Sequence, residues 1–391
     1  MRRCLAFVLA VAALVVPAAH AGNGLIVGVS EDMMKWSPTR PAQTRLNMNR
    51  LGIGAVRVTL RWSPGRRRPA GATLVALRRA QQAARGRRLV LSVYSRSNHA
   101  PSTTRMRRQY CGFVTGLLAL APRVNDVVIW NEPNSSRFWR PQFAPDGSNA
   151  AAPEYARLLA ECWDELHAFR PGVNVIAASA PRGNDDPQAS SPSQSPVAFY
   201  RGLAAAYRAS GRTRPIFDTI GHNPYPDTSA EQPWARHAGG TIGEGDYDKL
   251  VSVLTDGFGG TAQPVPGAGM PIWYMEDGFQ TRVAPDLVGD YAGRENDRWA
   301  LAPVAPGTHG AARRLVDQAT QLEAALRLAY CQPYVGAFFN FLLADERTLA
   351  GWQSGLLWSN WQPKPSYQAF AHAVADIGRG WVDCTAFGGL G

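Results

Sequence analysis

Several motifs that mark common enzyme classes are absent from the sequence. The seven histidines are dispersed, and neither His-x-x-x-His nor Cys-x-x-Cys spacing occurs, so no metal site is predicted. The sequence has no phosphate-binding loop and no dinucleotide fingerprint, and no Gly-x-Ser-x-Gly turn of the kind that carries a serine nucleophile. These absences argue against metalloenzymes, nucleotide-dependent enzymes and serine hydrolases. We expect no cofactor.

Long hydrophobic runs are absent after the N-terminus, so no membrane-spanning helix is predicted. The chain begins with Arg2 and Arg3, continues with a short apolar run from Leu5 to Val16, and reaches "PAAHA" at Ala21. A charged start, a short apolar middle and small residues at the end are typical of a secretory signal peptide. We therefore predict a signal peptide over residues 1–21 and a secreted, extracytoplasmic protein over residues 22–391. The alternative is a buried N-terminal helix.

Lysine is scarce, although the formal net charge is +11. Lysine occurs only at positions 35, 249 and 364, and the arginines that carry the charge are scattered along the chain. The one dense run, "GRRRP" at 65–69, falls in a predicted loop. This distribution favours a solvated basic surface over a nucleic-acid site. We expect no nucleic-acid partner, and a polyanionic substrate is the alternative.

Short β-branched runs alternate with longer amphipathic runs along the whole mature chain. Eight runs are typical of strands, beginning at Leu25, Ala55, Leu89, Asp126, Val173, Phe217, Pro271 and Val335. Strands that alternate with helices pair in parallel, and eight repeats indicate a closed (β/α)8 TIM barrel of class α/β. An open doubly wound sheet is the alternative, but the glycine-rich turn expected after its first strand is missing. We predict one catalytic domain over residues 22–391, with long loops after the strands, where barrel active sites lie.

Four cysteines remain after the predicted signal peptide: Cys111, Cys162, Cys331 and Cys384. An even number in an exported chain indicates two disulfides, with three possible pairings. In the barrel layout, Cys111 and Cys162 lie on neighbouring elements, and so do Cys331 and Cys384. We favour these two pairs.

Two acidic residues end strands of the predicted barrel. Glu132 follows "VVIWN" at the end of the fourth strand, and Glu276 ends the seventh in "PIWYMEDGF". Both therefore face one mouth, and a buried carboxylate is unfavourable unless it is paired, hydrogen-bonded or chemically used. One acid that protonates a leaving oxygen and another that attacks the anomeric carbon or activates water are the groups that cleave a glycosidic bond. A strand-end salt bridge is the structural alternative for each acid.

The segments "IWNEPN" followed by "FW", and "IWYMEDGF", resemble the retaining glycoside hydrolases of clan A. The likeness is greatest to cellulase-like family 5 and β-xylosidase-like family 39, and it extends from "VRV" on the second strand to "GLLW…KPSYQAF". It implies that Glu132 is the acid/base and Glu276 the nucleophile. It also implies that the protein hydrolyses O-glycosidic bonds of a polysaccharide or oligosaccharide by double displacement. We expect these bonds to be β-linked.

The resemblance implies substrate-binding roles for further residues. Arg57 resembles the arginine that hydrogen-bonds the nucleophile, and Asn131 the asparagine that binds the sugar 2-hydroxyl. In "GHNPYP", His222 is expected to contact sugar or the acid/base, and Tyr225 to lie near the nucleophile. A structural role is the alternative for both Arg57 and His222.

Aromatic residues suit sugar stacking, and Trp139 is the predicted platform. The loop tryptophans 352, 358 and 361 are further candidates. Two positions depart from the family pattern. The eighth strand, "AFFNFLLAD", has Asn340 where an aromatic residue is usual, with Phe339 or Phe341 as substitutes, and Asp277 follows the nucleophile directly. We expect Asp277 to point into the loop, because an inward carboxylate would raise the pKa of Glu276.

Two other functions use the same residues: a non-catalytic carbohydrate-binding protein and a transglycosylase on the same barrel. The sequence leaves the sugar, the linkage and endo or exo action open. We expect the protein to be a monomer and its substrate to be a carbohydrate.

Overall fold

The computed structural model describes residues 24–294 and 316–387. Eight parallel strands close into a barrel in the order β1 to β8, and β8 pairs with β1. The strands are β1 (Ile26–Ser30), β2 (Ala55–Arg61), β3 (Arg88–Tyr94), β4 (Asp126–Ile129), β5 (Asn174–Ser179), β6 (Thr219–His222), β7 (Ile272–Asp277) and β8 (Val335–Phe341). A helix follows each strand, so the predicted (β/α)8 barrel is confirmed.

The helices form the outer layer. They are α1 (Arg40–Leu51), α2 (Ala72–Ala83), α3 (Thr104–Leu120), α4 (Ala151–Phe169), α5 (Pro196–Ala209), α6 (Tyr247–Phe258), α7 (Gln318–Cys331) and α8 (Ser366–Arg379). The sequence pattern predicts a helix from Ala311 to Ala329; residues 311–315 lie outside the described residues, and α7 begins at Gln318. The predicted starts of β2, β4 and β8 are confirmed to the residue, and the other strand starts differ by one or two residues, because element ends are fixed by contacts that local patterns do not contain.

Alternate residues of the strands fill two separate cores. A small cluster inside the barrel includes Val90, Val128, Ile176 and Phe339, while a larger cluster packs the outer faces of the strands against the helices. The inner core is tight at β1, where a Cβ atom on Gly28 would lie 2.5 Å from the Phe339 ring. The barrel is therefore a packed body that presents its strand ends at one mouth.

Both predicted disulfides are confirmed. Cys111 of α3 is bonded to Cys162 of α4, and Cys331 at the end of α7 is bonded to Cys384 after α8. The two bonds span 51 and 53 residues, and in the chain-entropy model each such cross-link stabilises the fold by about 4 kcal/mol. Disulfides are compatible with the expected location outside the cytoplasm.

No helix within residues 24–294 and 316–387 has the length and apolar character needed to cross a bilayer. The predicted signal peptide, residues 1–21, lies outside the described residues.

Candidate active site

Glu132 and Glu276 lie at the mouth of the barrel, where the strands end. Glu132 comes three residues after the end of β4, and Glu276 is the penultimate residue of β7. Both strands belong to one closed parallel barrel, so the two acids lie at the same end of it, and the charge of Glu276 contributes to the raised pKa of Glu132. The structure thus brings together the two acids that the sequence singled out.

Glu276 is fixed by two protein groups. The Arg57 guanidinium of β2 forms a salt bridge to it, with Nη1 2.5 Å from Oε1, and the Tyr225 hydroxyl donates a hydrogen bond to Oε2 at 3.1 Å. Burial alone would lower the pKa of Arg57, but the carboxylate beside it keeps that pKa above its ordinary value. The charge-assisted bond to Arg57 and the hydrogen bond from Tyr225 together fix the direction of the Glu276 carboxylate.

A bulge in β7 directs Glu276 into the barrel. Trp273 and Met275 belong to the inner core, so regular alternation would point residue 276 outward. The pairing with β8 shifts, however: Tyr274 lies opposite Phe338 and Asp277 lies opposite Asn340. One extra residue on β7 reverses the alternation. Glu276 therefore faces Arg57, and Asp277 faces the outer layer.

Asp277 is buried outside the barrel, and its side chain does not reach the active-site mouth. Its Oδ1 accepts a hydrogen bond from the Gly278 amide at 2.8 Å, and burial raises its pKa to about 8. Asp277 was expected to point into the loop; it instead points into the protein, on the side of β7 opposite to Glu276.

Glu132 sits on a strained backbone just after β4. The residues Trp130 and Glu132 both have positive φ angles, 67° and 37°, and such conformations cost on the order of 1–3 kcal/mol each and cluster at functional sites. The turn at Trp130 sends its indole to the outer core, where Nε1 donates to the Phe138 carbonyl at 2.8 Å. The next residues are thereby turned towards the mouth. The fourth strand thus ends at Ile129, three residues before Glu132, where its end had been predicted.

The Glu132 carboxyl is suited to hold a proton near neutral pH. Burial of the carboxyl group, followed by the negative charge of Glu276, raises its pKa to about 7. The Asn223 amide opposes this shift, because it donates to Oε1 at 2.8 Å. The mouth therefore contains one carboxylate paired with a cation and one carboxyl that titrates near pH 7.

Asn131 links the two halves of the mouth. Its Oδ1 accepts a hydrogen bond from Nη2 of Arg57 at 3.0 Å, and the same nitrogen donates to Ser92 Oγ at 3.0 Å. Arg57, Asn131, Tyr225 and Glu276 are consequently joined by direct contacts, and Glu132 follows Asn131 directly in the chain.

The structure corrects two of the predicted substrate contacts. His222 is fully buried, with Nδ1 2.8 Å from Ser179 Oγ and Nε2 2.8 Å from the Ile242 carbonyl, and burial lowers its pKa to about 4. Both ring nitrogens are engaged by the outer layer, so His222 contacts neither sugar nor Glu132. Trp139 is also fully buried, edge-on to Trp130 and Tyr155, so no sugar can stack on it.

Sequence reasoning missed Asn223 at the mouth and named Trp352 only as one of three loop tryptophans that could stack on sugar. Asn223, which follows His222, makes the contact to Glu132 that was expected of the histidine, because β6 alternates and its odd-numbered residues face inward. Trp352 lies with its ring 5.1 Å from that of Tyr225 and 5.5 Å from that of Phe341. It is partly exposed, whereas Trp358 is buried against Lys364. Trp352 and Phe341 form the aromatic wall beside Tyr225, while Asn340 is turned away and donates to the Leu342 carbonyl.

Known structures share this barrel at low sequence identity. The GH39 enzyme from Xanthomonas axonopodis pv. citri aligns with a TM-score of 0.53 and 15% identity, over 91% of this chain and 68% of that one. A GH39 β-xylosidase from Caulobacter crescentus gives 0.54 and 14%, over 92% and 72%. A GH2 β-galacturonidase from Eisenbergiella tayi, bound to galacturonate, gives 0.53 and 10%, over 90% and 51%. The chain therefore spans about half the length of the galacturonidase.

No protein-family model and no curated protein sequence matches the chain. At these identities, the likeness to solved structures shows the fold.

Proposed function

We propose that the protein is a secreted retaining glycosidase that hydrolyses β-linked O-glycosidic bonds of an oligosaccharide or polysaccharide. The observation that carries the proposal is the contrast between two carboxyl groups at one mouth. Glu276 is paired with Arg57, while Glu132 has a pKa of about 7. A site with one ionised and one protonated carboxyl at neutral pH has the two states that double displacement needs.

In the first step, a Glu276 oxygen attacks the anomeric carbon and forms a glycosyl ester. The bond between that carbon and the leaving oxygen breaks, its electron pair goes to the oxygen, and the Glu132 proton is transferred to it. Glu132 is then ionised, and the first product leaves as an alcohol. Arg57 and Tyr225 hold the attacking carboxylate in place, so that little reorganisation is needed.

In the second step, Glu132 removes a proton from a water molecule whose oxygen attacks the anomeric carbon. The ester bond to Glu276 breaks, the sugar leaves with retained configuration, and both carboxyls return to their starting states. The pKa of Glu132 suits both steps, because a group that titrates near the working pH exchanges protons in either direction.

Two other side chains are assigned to substrate binding. Asn131 accepts from Arg57 through Oδ1, which leaves its NH2 group to donate to a sugar hydroxyl. The exposed face of Trp352 suits the C–H face of a pyranose, and it adjoins Tyr225 on the nucleophile side. The structures that share the fold include β-xylosidases and a β-galacturonidase, which supports a glycosidase in general and leaves the sugar to experiment.

The test is covalent labelling with 2-deoxy-2-fluoro glycosyl fluorides, tried with xylose, glucose and galacturonate. These compounds form the glycosyl ester but hydrolyse slowly. We expect peptide mass spectrometry to find the label on Glu276, and proton NMR of an aryl glycoside reaction to show a product with retained configuration. The Glu276→Gln variant should remain unlabelled.

A matched control is Asp126→Asn. Asp126 is a buried acid at the opposite end of β4 and accepts hydrogen bonds from Arg88 and Asn174. Its replacement should leave labelling of Glu276 intact. An inverted product, or a label on any other residue, would overturn the mechanism. Tight sugar binding without turnover would identify a carbohydrate-binding protein, and products longer than the substrate a transglycosylase.

A further inference from the structure

The loop between β6 and α6 encloses a small cavity with the end of β7, outside the barrel wall. The polar residues that line it are Glu231, His237, Glu244 and Asp277, and Pro224 and Pro226 on either side of Tyr225 also contribute. About 10 Å³ is accessible to the centre of a water-sized sphere, which is room for one water molecule or one ion.

Two carboxylates of this cavity have oxygens without a partner. Glu244 is 3% exposed, and apart from the nearby Ala329 amide its carboxylate oxygens have no hydrogen-bond donor among the described residues. Asp277 is 1% exposed, and its Oδ2 likewise has no partner there. Taking a carboxylate out of water without a compensating group costs several kcal/mol. A cation bound in the cavity would supply that compensation.

The histidine of the cavity is oriented as metal-bound histidines are. Its Nδ1 lies 2.7 Å from Oδ2 of the buried Asp246, which fixes the ring and turns Nε2 towards the acids. Nε2 lies 3.3 Å from Glu231 Oε2 and 3.9 Å from Asp227 Oδ2, and one ligand atom from each of these three residues lies within 4.8 Å of the others. A carboxylate behind the histidine is the usual second partner of a metal ligand.

We propose that this site binds one divalent transition-metal ion, with Asp227, Glu231 and His237 as its ligands and with Glu244 and Asp277, which line the adjoining cavity, adding negative charge. An imidazole nitrogen beside carboxylates favours ions such as Zn²⁺ or Mn²⁺ over Ca²⁺ and Mg²⁺, which prefer oxygen ligands alone. Two cations already balance part of this charge, since Arg182 is paired with Asp227 at 2.8 Å and Lys249 with Asp246 at 3.1 Å, while Glu244 and Asp277 form no ion pair within the described residues.

The first experiment measures metal in the full chain, purified without a histidine tag. Elemental analysis by mass spectrometry should find about one Zn²⁺ or Mn²⁺ per chain. After treatment with a chelator, titration calorimetry with ZnCl2, MnCl2 and CaCl2 should give a Kd for Zn²⁺ or Mn²⁺ at least tenfold lower than that for Ca²⁺, and the tighter ion should raise the Tm. No stoichiometric metal together with no Tm shift from any of the three salts would overturn the proposal.

Variants locate the site. Glu231→Gln should weaken metal binding at least tenfold, and Asp246→Asn should weaken it about 10–100-fold, because it releases the histidine ring. Asp248→Asn is the control, since Asp248 is an exposed acid nearby whose partner is Arg236, and its Kd should not change. Unchanged binding in Glu231→Gln would also overturn the proposal. Glu244→Gln removes a buried charge, so it should fold without metal at least as stably as the parent, and none of these readouts depends on activity.

Discussion

Two pairs of acidic residues lie near the end of β7: an inner pair, Glu132 and Glu276, and an outer pair, Asp277 and Glu244. The pairs differ in their partners more than in their burial. Inside the barrel, Glu276 is held by Arg57 and Tyr225. On the other side of the same strand, the adjacent Asp277 and Glu244 line one cavity, and both carry oxygens that lack a well-placed hydrogen-bond donor within residues 24–294 and 316–387. Burial alone raises the pKa of a carboxyl, and the groups around it then decide whether it is ionised, protonated or matched by a cation. The comparison teaches that a single extra residue in a strand assigns neighbouring acids to different tasks.

The largest expected effect is on the inner pair. Replacing Glu276 by Gln removes the attacking group but preserves its shape, so kcat should fall at least about a thousandfold, while the circular dichroism spectrum and the Tm stay close to those of the parent. Asp126→Asn should retain the parental kcat in the folded protein. Steady-state rates on the best aryl glycoside measure both, and substantial turnover by Glu276→Gln would contradict the assignment.

Substitutions in the inner and outer pairs should also change the free energy of unfolding differently. Arg57→Ala leaves the Glu276 carboxylate buried without its cation, which should lower the free energy of unfolding by about 3–5 kcal/mol. Glu244→Gln in chelated protein removes a carboxylate whose only nearby hydrogen-bond donor among the described residues is the Ala329 amide, so its free energy of unfolding should equal or exceed that of the parent. Urea unfolding at pH 7 compares the two variants. A similar loss of unfolding free energy in both variants would show that Glu244 already has a stabilising partner within the protein.

A smaller effect is expected at the aromatic wall. Trp352→Ala removes a stacking surface worth about 1.4 kcal/mol, which corresponds to a fall of about tenfold in kcat/KM. Trp381, 67% exposed after α8, provides the matched control, and Trp381→Ala should leave kcat/KM unchanged. Equal kcat/KM in both variants would exclude Trp352 from the sugar site.

The smallest expected effect is a shift in pH dependence. The pKa of Glu132, about 7, sets the alkaline limb of kcat/KM, because activity needs its proton. Asn223 stabilises the ionised form by donating to it, so Asn223→Ala should raise the pKa and move the limb to higher pH by about half a unit to one unit. By the same logic, the fold loses stability as Glu132 ionises, because the folded state holds this proton more tightly than the unfolded chain does.

The comparison variant for this profile is His222→Gln. It should lower the Tm by removing hydrogen bonds to Ser179 and Ile242, yet leave the limb in place. A shift in the limb with His222→Gln, or none with Asn223→Ala, would reverse the roles of these neighbours.

The sequence predicted the barrel well, because period-two strands and 3.6-period helices are local patterns that tertiary packing reinforces. It also predicted that Glu132 and Glu276 share a mouth, since parallel strand ends meet at one face. The contact between Arg57 and Glu276 followed from the family resemblance. The disulfides followed from the order of the helices around the ring.

Side-chain direction was less predictable. The contact to Glu132 was predicted for His222 but is made by Asn223. The register of β6 decides which of the two faces inward, and a one-residue error in register points every side chain to the opposite face. Trp139 was taken for a surface platform because aromatic residues suit both cores and sugars. The bulge that turns Glu276 inward, and the loop that brings Glu231, His237 and Glu244 to one cavity, depend on long-range pairing that no local pattern records.

Closure of the barrel by β1 and β8 determines which fragments of the chain can form the site. The strands that carry Arg57 and Glu276 come from distant parts of the chain, and the circle is complete only when β8 pairs with β1. A fragment that lacks β1 or β8 leaves the barrel open, so we expect it neither to hold Arg57 against Glu276 nor to have the proposed activity.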